Sequence, residues 1–144
     1  MKSYKAQNVI NGTFGELWID GDYMAQVTGF KAEVSLDKSD VAMVRKLAKA
    51  SKVTGMTCTG EITLNKVSSF FIRKLNDSIK AGREVVCTII SKLDDPDALG
   101  TERIVVNDAT FDSIVLADWK AGTIGEESMP FTFTDWDIQD VIEE

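Results

Sequence analysis

Three carboxylates crowd one short segment of this 144-residue sequence, Asp94-Asp95-Pro96-Asp97-Ala98-Leu99-Gly100. Carboxylate oxygens bind divalent cations, and a pair of them can perform general acid–base catalysis without histidine. The segment lacks, however, the alternating ligand spacing and the distal glutamate of a calcium loop. The sequence places no further carboxylate or substrate site beside it. We therefore favour a solvated loop between two strands, and keep a metal site and a carboxylate enzyme as alternatives.

The other residue types that commonly carry chemistry are scarce. The sequence has no histidine, which excludes histidine-dependent triads, histidine-ligated metals and imidazole acid–base catalysis. Its two cysteines, Cys58 and Cys87, are too few for a cysteine-only zinc site or a disulfide framework. Cys58 lies on the apolar side of an alternating segment, which is typical of a small core residue and not of a reactive thiol.

The composition is that of an ordinary globular protein, with 44% hydrophobic and 27% charged residues. The length predicts a single domain over residues 1–144. No apolar segment follows the N-terminus as in a signal peptide, and no apolar run is long enough to span a bilayer. We therefore expect a cytoplasmic protein with reduced thiols and no membrane anchor.

Charge is divided unevenly along the chain. Residues 1–93 carry 14 basic and nine acidic side chains, whereas residues 94–144 carry two basic and 14 acidic ones. The basic part contains a cluster without an intervening acid: Arg45, Lys46, Lys49 and Lys52. Opposite charges on one molecule can attract copies head to tail, which gives rings or filaments. Alternatively, both regions are solvated surface that maintains solubility.

Two segments alternate between apolar and polar residues, which predicts strands with one buried and one wet face. The apolar positions are Phe30, Ala32, Val34 and Leu36 in one segment and Met56, Cys58, Ile62 and Leu64 in the other. The polar positions are Lys31, Glu33 and Ser35, and Thr57, Thr59, Glu61 and Thr63. Between them, Val41–Ala50 fits either a helix capped by Ser39 or the end of a long hairpin over 23–64. An extended end would expose Met43, Val44 and Leu47, which indicates a covering partner.

One helix is predicted at about 68–81. Val67, Phe71, Leu75 and Ile79 recur every four residues and form an apolar stripe, and Gly82 follows as a typical terminator. Further strands are predicted at 84–91, 103–106, 110–116 and 129–136, before an acidic C-terminal segment at 135–144. The fold class is mainly β with one helix (α+β). We expect a β-sandwich or partly closed β-barrel with a flanking helix and a long hairpin arm at about 37–54.

A set of short motifs is distributed over the whole chain. They are Lys5-Ala-Gln-Asn8, Gly12-Thr-Phe-Gly-Glu-Leu-Trp-Ile-Asp-Gly21, Lys52-Val-Thr-Gly55, Gly60-Glu-Ile-Thr-Leu-Asn-Lys-Val-Ser-Ser69, Gly100-Thr-Glu-Arg103, Phe111-Asp-Ser113 and Pro130-Phe-Thr-Phe-Thr-Asp-Trp-Asp137. In their order and spacing, the sequence resembles the tail tube proteins of contractile phages and phage-tail-like bacteriocins, of the type in the defective Bacillus prophage PBSX. It departs from the family at 45–51, where the family tends to have glycine and a histidine.

The resemblance implies a structural protein without catalysis, metal or cofactor. It implies hexameric rings that stack into a hollow tube inside a contractile sheath, with baseplate and tail terminator proteins as further partners. The tube would conduct DNA in a phage virion tail, or pierce the bacterial envelope in a bacteriocin. It also implies that the long arm reaches neighbouring subunits.

Two hypotheses on residues follow. The polar faces of the two alternating segments would line the lumen of the tube. Their residues are Lys31, Glu33, Ser35, Thr57, Thr59, Glu61 and Thr63. The basic end of the arm would meet acid of another subunit, with interface residues Met43, Val44, Arg45, Lys46, Leu47, Lys49, Lys52, Asp137 and Asp140; Asp94–Asp97 is an alternative acidic partner. A monomeric ligand-binding β-barrel and a secretion-system tube protein of the same architecture remain alternatives.

Overall fold

The computed structural model describes residues 3–143, which contain eight strands and one α-helix. The strands are β1 (Gly15–Ile19), β2 (Asp22–Tyr23), β3 (Val27–Val41), β4 (Ala50–Asn65), β5 (Cys87–Leu93), β6 (Glu102–Phe111), β7 (Glu126–Thr132) and β8 (Asp135–Asp140), and the helix is α1 (Phe70–Lys80). Two short 3-10 helices, Ala6–Asn8 and Gly12–Phe14, precede β1.

The strands form one antiparallel sheet that bends into two layers. The order is β2-β1-β5-β6-β7-β4-β3, and β8 also pairs with β6. Strand β6 belongs to both layers, because its first part pairs with β5 and β8 while Thr110 and Phe111 pair with β7. Among the described residues no ladder joins β2 to β3, so the sheet remains open. The predicted mainly-β fold with a flanking helix and a long hairpin is confirmed.

The core lies between the two layers and beneath α1. It combines buried residues of one layer with those of the other and with two helix residues: Ile19, Ile89, Val106, Ile62, Met129, Phe131, Phe71 and Leu75. Phe131 lies at its centre, with its ring stacked on Phe30 at a centroid distance of 5.9 Å and edge-on to Phe111 at 6.1 Å. The base of the long hairpin is thereby part of the core.

Helix α1 lies inside its predicted range but buries less of its apolar stripe than expected. Gly82, two residues after the last helical residue Lys80, has φ 74°, as the terminator role requires. Phe71 and Leu75 are buried, whereas Val67 is 78% exposed and Ile79 50% exposed. Val67 precedes the first helical residue and Ile79 lies in the last turn, so only the middle of the stripe faces the sheet.

Two of the later strands end earlier than predicted. The strands predicted separately at 103–106 and 110–116 form one strand, β6, which ends at Phe111. The segment predicted at 129–136 is divided by Phe133 and Thr134 between β7 and β8. This break resets the alternation of side chains. Trp136 therefore packs edge-on against the Phe133 ring, with a centroid distance of 6.3 Å.

The turn between β1 and β2 is tied to β5 and α1 by one carboxylate. Asp20 has φ 49°, and its carboxylate accepts hydrogen bonds from the Thr88 amide at 2.8 Å and from Lys74 Nζ at 2.7 Å. Burial opposes ionisation of Asp20, but the hydrogen bonds from Lys74 and Thr88 outweigh it and hold its pKa below the ordinary value of 3.8. Burial, and then the neighbouring Asp20, raise the pKa of the Cys87 thiol to about 11, so this thiol is not a thiolate at neutral pH.

We expect the substitution Asp20→Asn to lower the free energy of unfolding by about 1 kcal/mol at pH 7, since the charge-assisted bond to Lys74 is lost. Asparagine tolerates the positive φ, so the turn itself is retained. The native pKa of Asp20 lies below its unfolded value, so this stabilisation is present above pH 3.8 and is lost as the pH falls below it. Urea denaturation between pH 7 and pH 3 should show the difference from wild type shrinking in acid. A difference that is constant with pH would contradict this role of the charge.

Candidate functional site

The long hairpin of β3 and β4 is the largest projection of the fold. The two strands pair from Val27 opposite Leu64 to Val41 opposite Ala50. Residues 42–49, here called the tip, connect them, with Arg45 at φ 65°. The alternative of a helix over Val41–Ala50 is therefore wrong. The pairing of β3 with β4 continues to Val41 and Ala50, the two ends of the segment that could have been a helix. The residues between them connect the two strands.

One face of the hairpin is polar. In the register of β3 and β4, Lys31 lies opposite Glu61, Glu33 opposite Thr59 and Ser35 opposite Thr57. The structure therefore brings together on one face the seven residues expected to line a lumen: Lys31, Glu33, Ser35, Thr57, Thr59, Glu61 and Thr63. Six of them are exposed and Thr63 is half-buried. We call this set the polar face.

The polar face continues onto the next two strands. Strand β7 places Ser128 opposite Thr63 and Thr132 opposite Thr59, and the Thr132 hydroxyl is hydrogen-bonded to that of Thr110 on β6 at 3.1 Å. The Ser128 hydroxyl donates to a carboxylate oxygen of Glu61. The result is a hydroxyl-rich surface that crosses four strands.

The charges on the polar face are largely paired within the chain. Lys31 Nζ lies 3.2 Å from Glu33 Oε2, and Ser35 Oγ donates to the same carboxylate at 3.2 Å. The hydrogen bonds from Lys31 and Ser35 lower the pKa of Glu33. These residues therefore offer a nearly neutral surface to whatever faces them.

The opposite face of the hairpin is apolar, and its outer part is uncovered. Phe30 and Val34 pack against the core. Further out, Leu36 and Met56 lie opposite each other and are 54% and 56% exposed. Exposed apolar residues on one side of a paired ribbon are typical of an interaction surface.

The tip is both apolar and basic. Val44 is 92% exposed and Leu47 is fully exposed, and Met43 is also accessible. Arg45, Lys46 and Lys49 lie in the same segment, and Lys52 lies nearby on β4. No hydrogen bond or ion pair among residues 3–143 joins the tip to the two acidic residues predicted with it, Asp137 and Asp140. Both lie exposed on β8, where Asp137 accepts a hydrogen bond from Asn107 at 3.1 Å.

The carboxylate segment 94–100 connects β5 to β6, as expected, but it is not simply solvated. Asp95 is buried, and its two oxygens accept hydrogen bonds from the backbone amides of Asn11 at 2.8 Å and Asp97 at 2.9 Å. Asp94 accepts a hydrogen bond from Thr101 Oγ1 at 2.8 Å. No group of three or more potential metal ligands occurs between residues 3 and 143. Asp95 therefore fixes the loop to the N-terminal segment.

An open groove of about 810 Å³ runs along the seam where the sheet fails to close. Strand β3 lines one side, and β1, β5, β6 and β8 line the other. Its apolar lining includes Tyr23, Phe30, Val34, Ile104, Trp136 and Ile138. Sequence reasoning missed this groove, because its walls come from strands that are distant in the sequence. The alternation Trp136, Ile138 along β8 was the one local signal for it.

A family model described as "Phage tail tube protein" matches residues 2–140. The chain belongs to this family. Tail tube proteins are structural components of phage tails, so the assignment as a structural tube subunit and not an enzyme is confirmed. The function class also agrees with the scarcity of catalytic residue types in the sequence.

Named relatives and solved structures agree with the tail tube family. The chain is 38% identical over 136 residues to the phage-like element PBSX protein XkdM of Bacillus subtilis strain 168, covering 93% of this chain and 92% of XkdM. It superposes with a TM-score of 0.68 on a chain of an extracellular contractile injection system, the PVC sheath-tube complex in the extended state, at 10% identity and with 96% and 100% coverage. A chain of the anti-feeding prophage cap gives a TM-score of 0.69 at 10% identity, with 97% of each chain covered. At these identities the likeness concerns the fold.

Residues 3–143 contain no helix that is long and apolar enough to cross a membrane. The candidate surfaces of this tail tube protein are the polar face, the uncovered apolar side of the hairpin, the tip and the groove.

Proposed function

We propose that copies of this chain form hexameric rings that stack into a hollow tube, with the polar face lining the lumen. The observation that carries the proposal is the two-sided hairpin. One side is a hydroxyl-rich surface across four strands, and the other is an apolar side left exposed at Leu36 and Met56. A side with such exposure is covered in a stable assembly.

The free edge of the sheet supports the same arrangement. Strand β3 is 15 residues long, and within residues 3–143 it pairs with β4 alone. A long unpaired edge readily pairs with a strand of another chain, and closing the strands of several subunits into a ring removes every free edge. In such a ring the polar faces point inward and the apolar sides pack between subunits.

The chemistry of the polar face suits the passage of DNA. Its seven residues include one cation, Lys31, and two anions, Glu33 and Glu61. DNA binds protein surfaces by exchanging its counterions for lysine and arginine. A wall of hydroxyls with few free cations offers little of this exchange, so DNA slides past it. In a bacteriocin-type particle the same tube would act without DNA, by piercing the envelope when the sheath contracts.

We further propose a tail sheath protein around the tube, and baseplate and tail terminator proteins at its ends. This rests on the folds to which the chain is similar, which come from particles described with a sheath, a terminator and a cap. The complete particle is then a phage tail or a phage-tail-like particle.

Negative-stain electron microscopy and sedimentation velocity over a concentration series test the proposal. We expect rings, and then hollow tubes, that grow with protein concentration and show six subunits in end view. A chain that remains monomeric at every concentration should assemble once a preformed baseplate is added as initiator. Failure to assemble on that initiator would contradict the tube role.

Lysines on the polar face should make the lumen adhere to DNA. The change Thr57→Lys, Thr59→Lys and Thr63→Lys turns the formal charge of the seven residues from −1 to +2 per subunit. We expect salt-sensitive retention of double-stranded DNA and slower DNA ejection from particles that contain the variant. Lysines at the exposed residues Ser68, Ser113 and Thr123 provide a control with the same charge. Normal ejection through assembled variant tubes would show that these threonines do not line the lumen.

A further inference from the structure

We propose that the tip of one copy docks in the groove of the next copy. In this arrangement Met43, Val44 and Leu47 pack against the wall formed by Trp136 and Ile138. The inference rests on the proposed tube function, and it names the surface that receives the tip.

The groove is an apolar surface that the chain leaves unfilled. Its volume of about 810 Å³ lies within the range of about 300–1,000 Å³ typical of sites that enclose a ligand. Ile138 is 58% exposed in its wall and Trp136 is half-buried. The groove therefore has room for a few apolar side chains, and not for a whole element.

The tip supplies side chains of this kind. Leu47 and Val44 are almost completely exposed, although both are among the residues that most favour burial. They lie at the end of a ribbon that is paired up to Val41 and Ala50, so the two strands hold them away from the rest of the chain.

The tip cannot reach the groove of its own chain. Val34 is the β3 residue nearest the tip that lines the groove, and Val41 lies seven residues further along the same paired strand. At about 3.3 Å per residue, the strand carries the tip roughly 23 Å away from the groove. The occupant is therefore the tip of a second copy.

Charge favours the same pairing. The formal charges of the four charged residues that line the groove cancel, because Glu16 and Glu102 are acidic and Lys31 and Lys92 are basic. The adjoining strand β8 adds Asp135, Asp137 and Asp140 and no cation. A basic tip that enters beside β8 meets this acidic rim, which selects the orientation of docking.

The contact has the symmetry that a tube requires. A tip and a groove are different surfaces, so each subunit uses one of each and the association is head to tail. Such an association closes into rings or continues as a helical stack.

Cysteine cross-linking between two variants tests the docking. One chain carries Leu47→Cys, and the other carries Ile138→Cys with a size tag; both positions are exposed, so folding is retained. The native thiols Cys58 and Cys87 are buried. Under mild oxidation of the mixed assembly we expect a mixed disulfide dimer. Docking raises the local thiol concentration, so it should form on the order of a hundredfold faster than with an undocked pair. Val67→Cys, also exposed and apolar but outside the tip, replaces Leu47→Cys as the control.

The outcomes separate this proposal from the tube function. Tubes without a mixed dimer above the control, or with a predominant dimer between two Leu47→Cys chains, would overturn the docking and leave the tube function intact. A mixed dimer in the absence of rings or tubes would support the docking and contradict the tube. Absence of both would overturn both.

Discussion

Replacing Gly60 with alanine should destabilise the subunit by about 3 kcal/mol or more, because a side chain at this position overpacks the core. A Cβ at Gly60 would lie 2.3 Å from Phe131 Cζ and 2.4 Å from the Lys31 carbonyl oxygen. The carbonyl oxygen belongs to the neighbouring strand β3, so it cannot move without disturbing the hairpin ladder. The ring of Phe131 is completely buried and contacts three other phenylalanines.

This cost is a large fraction of the stability of a small domain, which is typically 5–15 kcal/mol. Urea denaturation of the monomer measures it directly. Gly29→Ala is a matched control on the same hairpin, because a Cβ there would lie 3.7 Å from its nearest neighbour, Thr63 Cβ. We expect the control to cost no more than about 1 kcal/mol. Equal midpoints for the two variants would show that β4 does not pack on Phe131 as described.

Gly60 illustrates what a single sequence does and does not reveal. The alternation on both sides of it predicted the strand, and the shared face of Cys58 and Ile62 was correct. The need for glycine depends on Phe131, which is 71 positions away and reaches Gly60 only through the pairing of β4 with β7. Such a requirement has no local signal, so periodicity could not disclose it.

The surfaces proposed for assembly divide in the same way. The polar face was predictable, because a two-residue period fixes which side chains share a face and the hairpin register then joins the two sets. The conformation of the tip was not predictable from the sequence, because residues such as Ala48 and Ala50 are good helix formers. Only the pairing of Val41 with Ala50 selects the hairpin. The groove and the hydrogen bond from the Asn11 amide to Asp95 join parts of the chain that are distant in the sequence, so neither was predictable. The resemblance to tail tube proteins supplied the function class. It does not say which residues of a neighbouring subunit the tip contacts.

Reversing the charge of the tip should block polymerisation while leaving the subunit folded. In the variant Arg45→Glu, Lys46→Glu and Lys49→Glu, three exposed side chains change, and no ion pair among residues 3–143 involves them. The free energy of unfolding should therefore change by less than about 0.5 kcal/mol. The acidic part of the chain, residues 94–144, carries 14 acidic and two basic residues, so an interface with it becomes repulsive.

The expected size of this effect follows from the interface charges. Placing like charges together across an interface costs several kcal/mol, and each 1.4 kcal/mol is tenfold in affinity. The critical concentration for assembly should rise at least about a hundredfold, as measured by sedimentation. Lys5→Glu, Arg83→Glu and Lys120→Glu change the net charge equally at exposed positions elsewhere. This control should assemble nearly as wild type, which separates a local contact from general repulsion.

A charge exchange identifies the partner of the tip. If the tip meets β8, adding Asp137→Lys and Asp140→Lys to the reversed tip restores attraction and should recover tubes. The same rescue attempted at Asp94 and Asp97 tests the other acidic segment.

Salt gives an independent measure, because screening weakens attraction in the wild type and repulsion in the reversed variant. Raising the ionic strength should therefore bring the two critical concentrations together. Normal tubes from the reversed tip at low salt would show that its cations take no part in assembly.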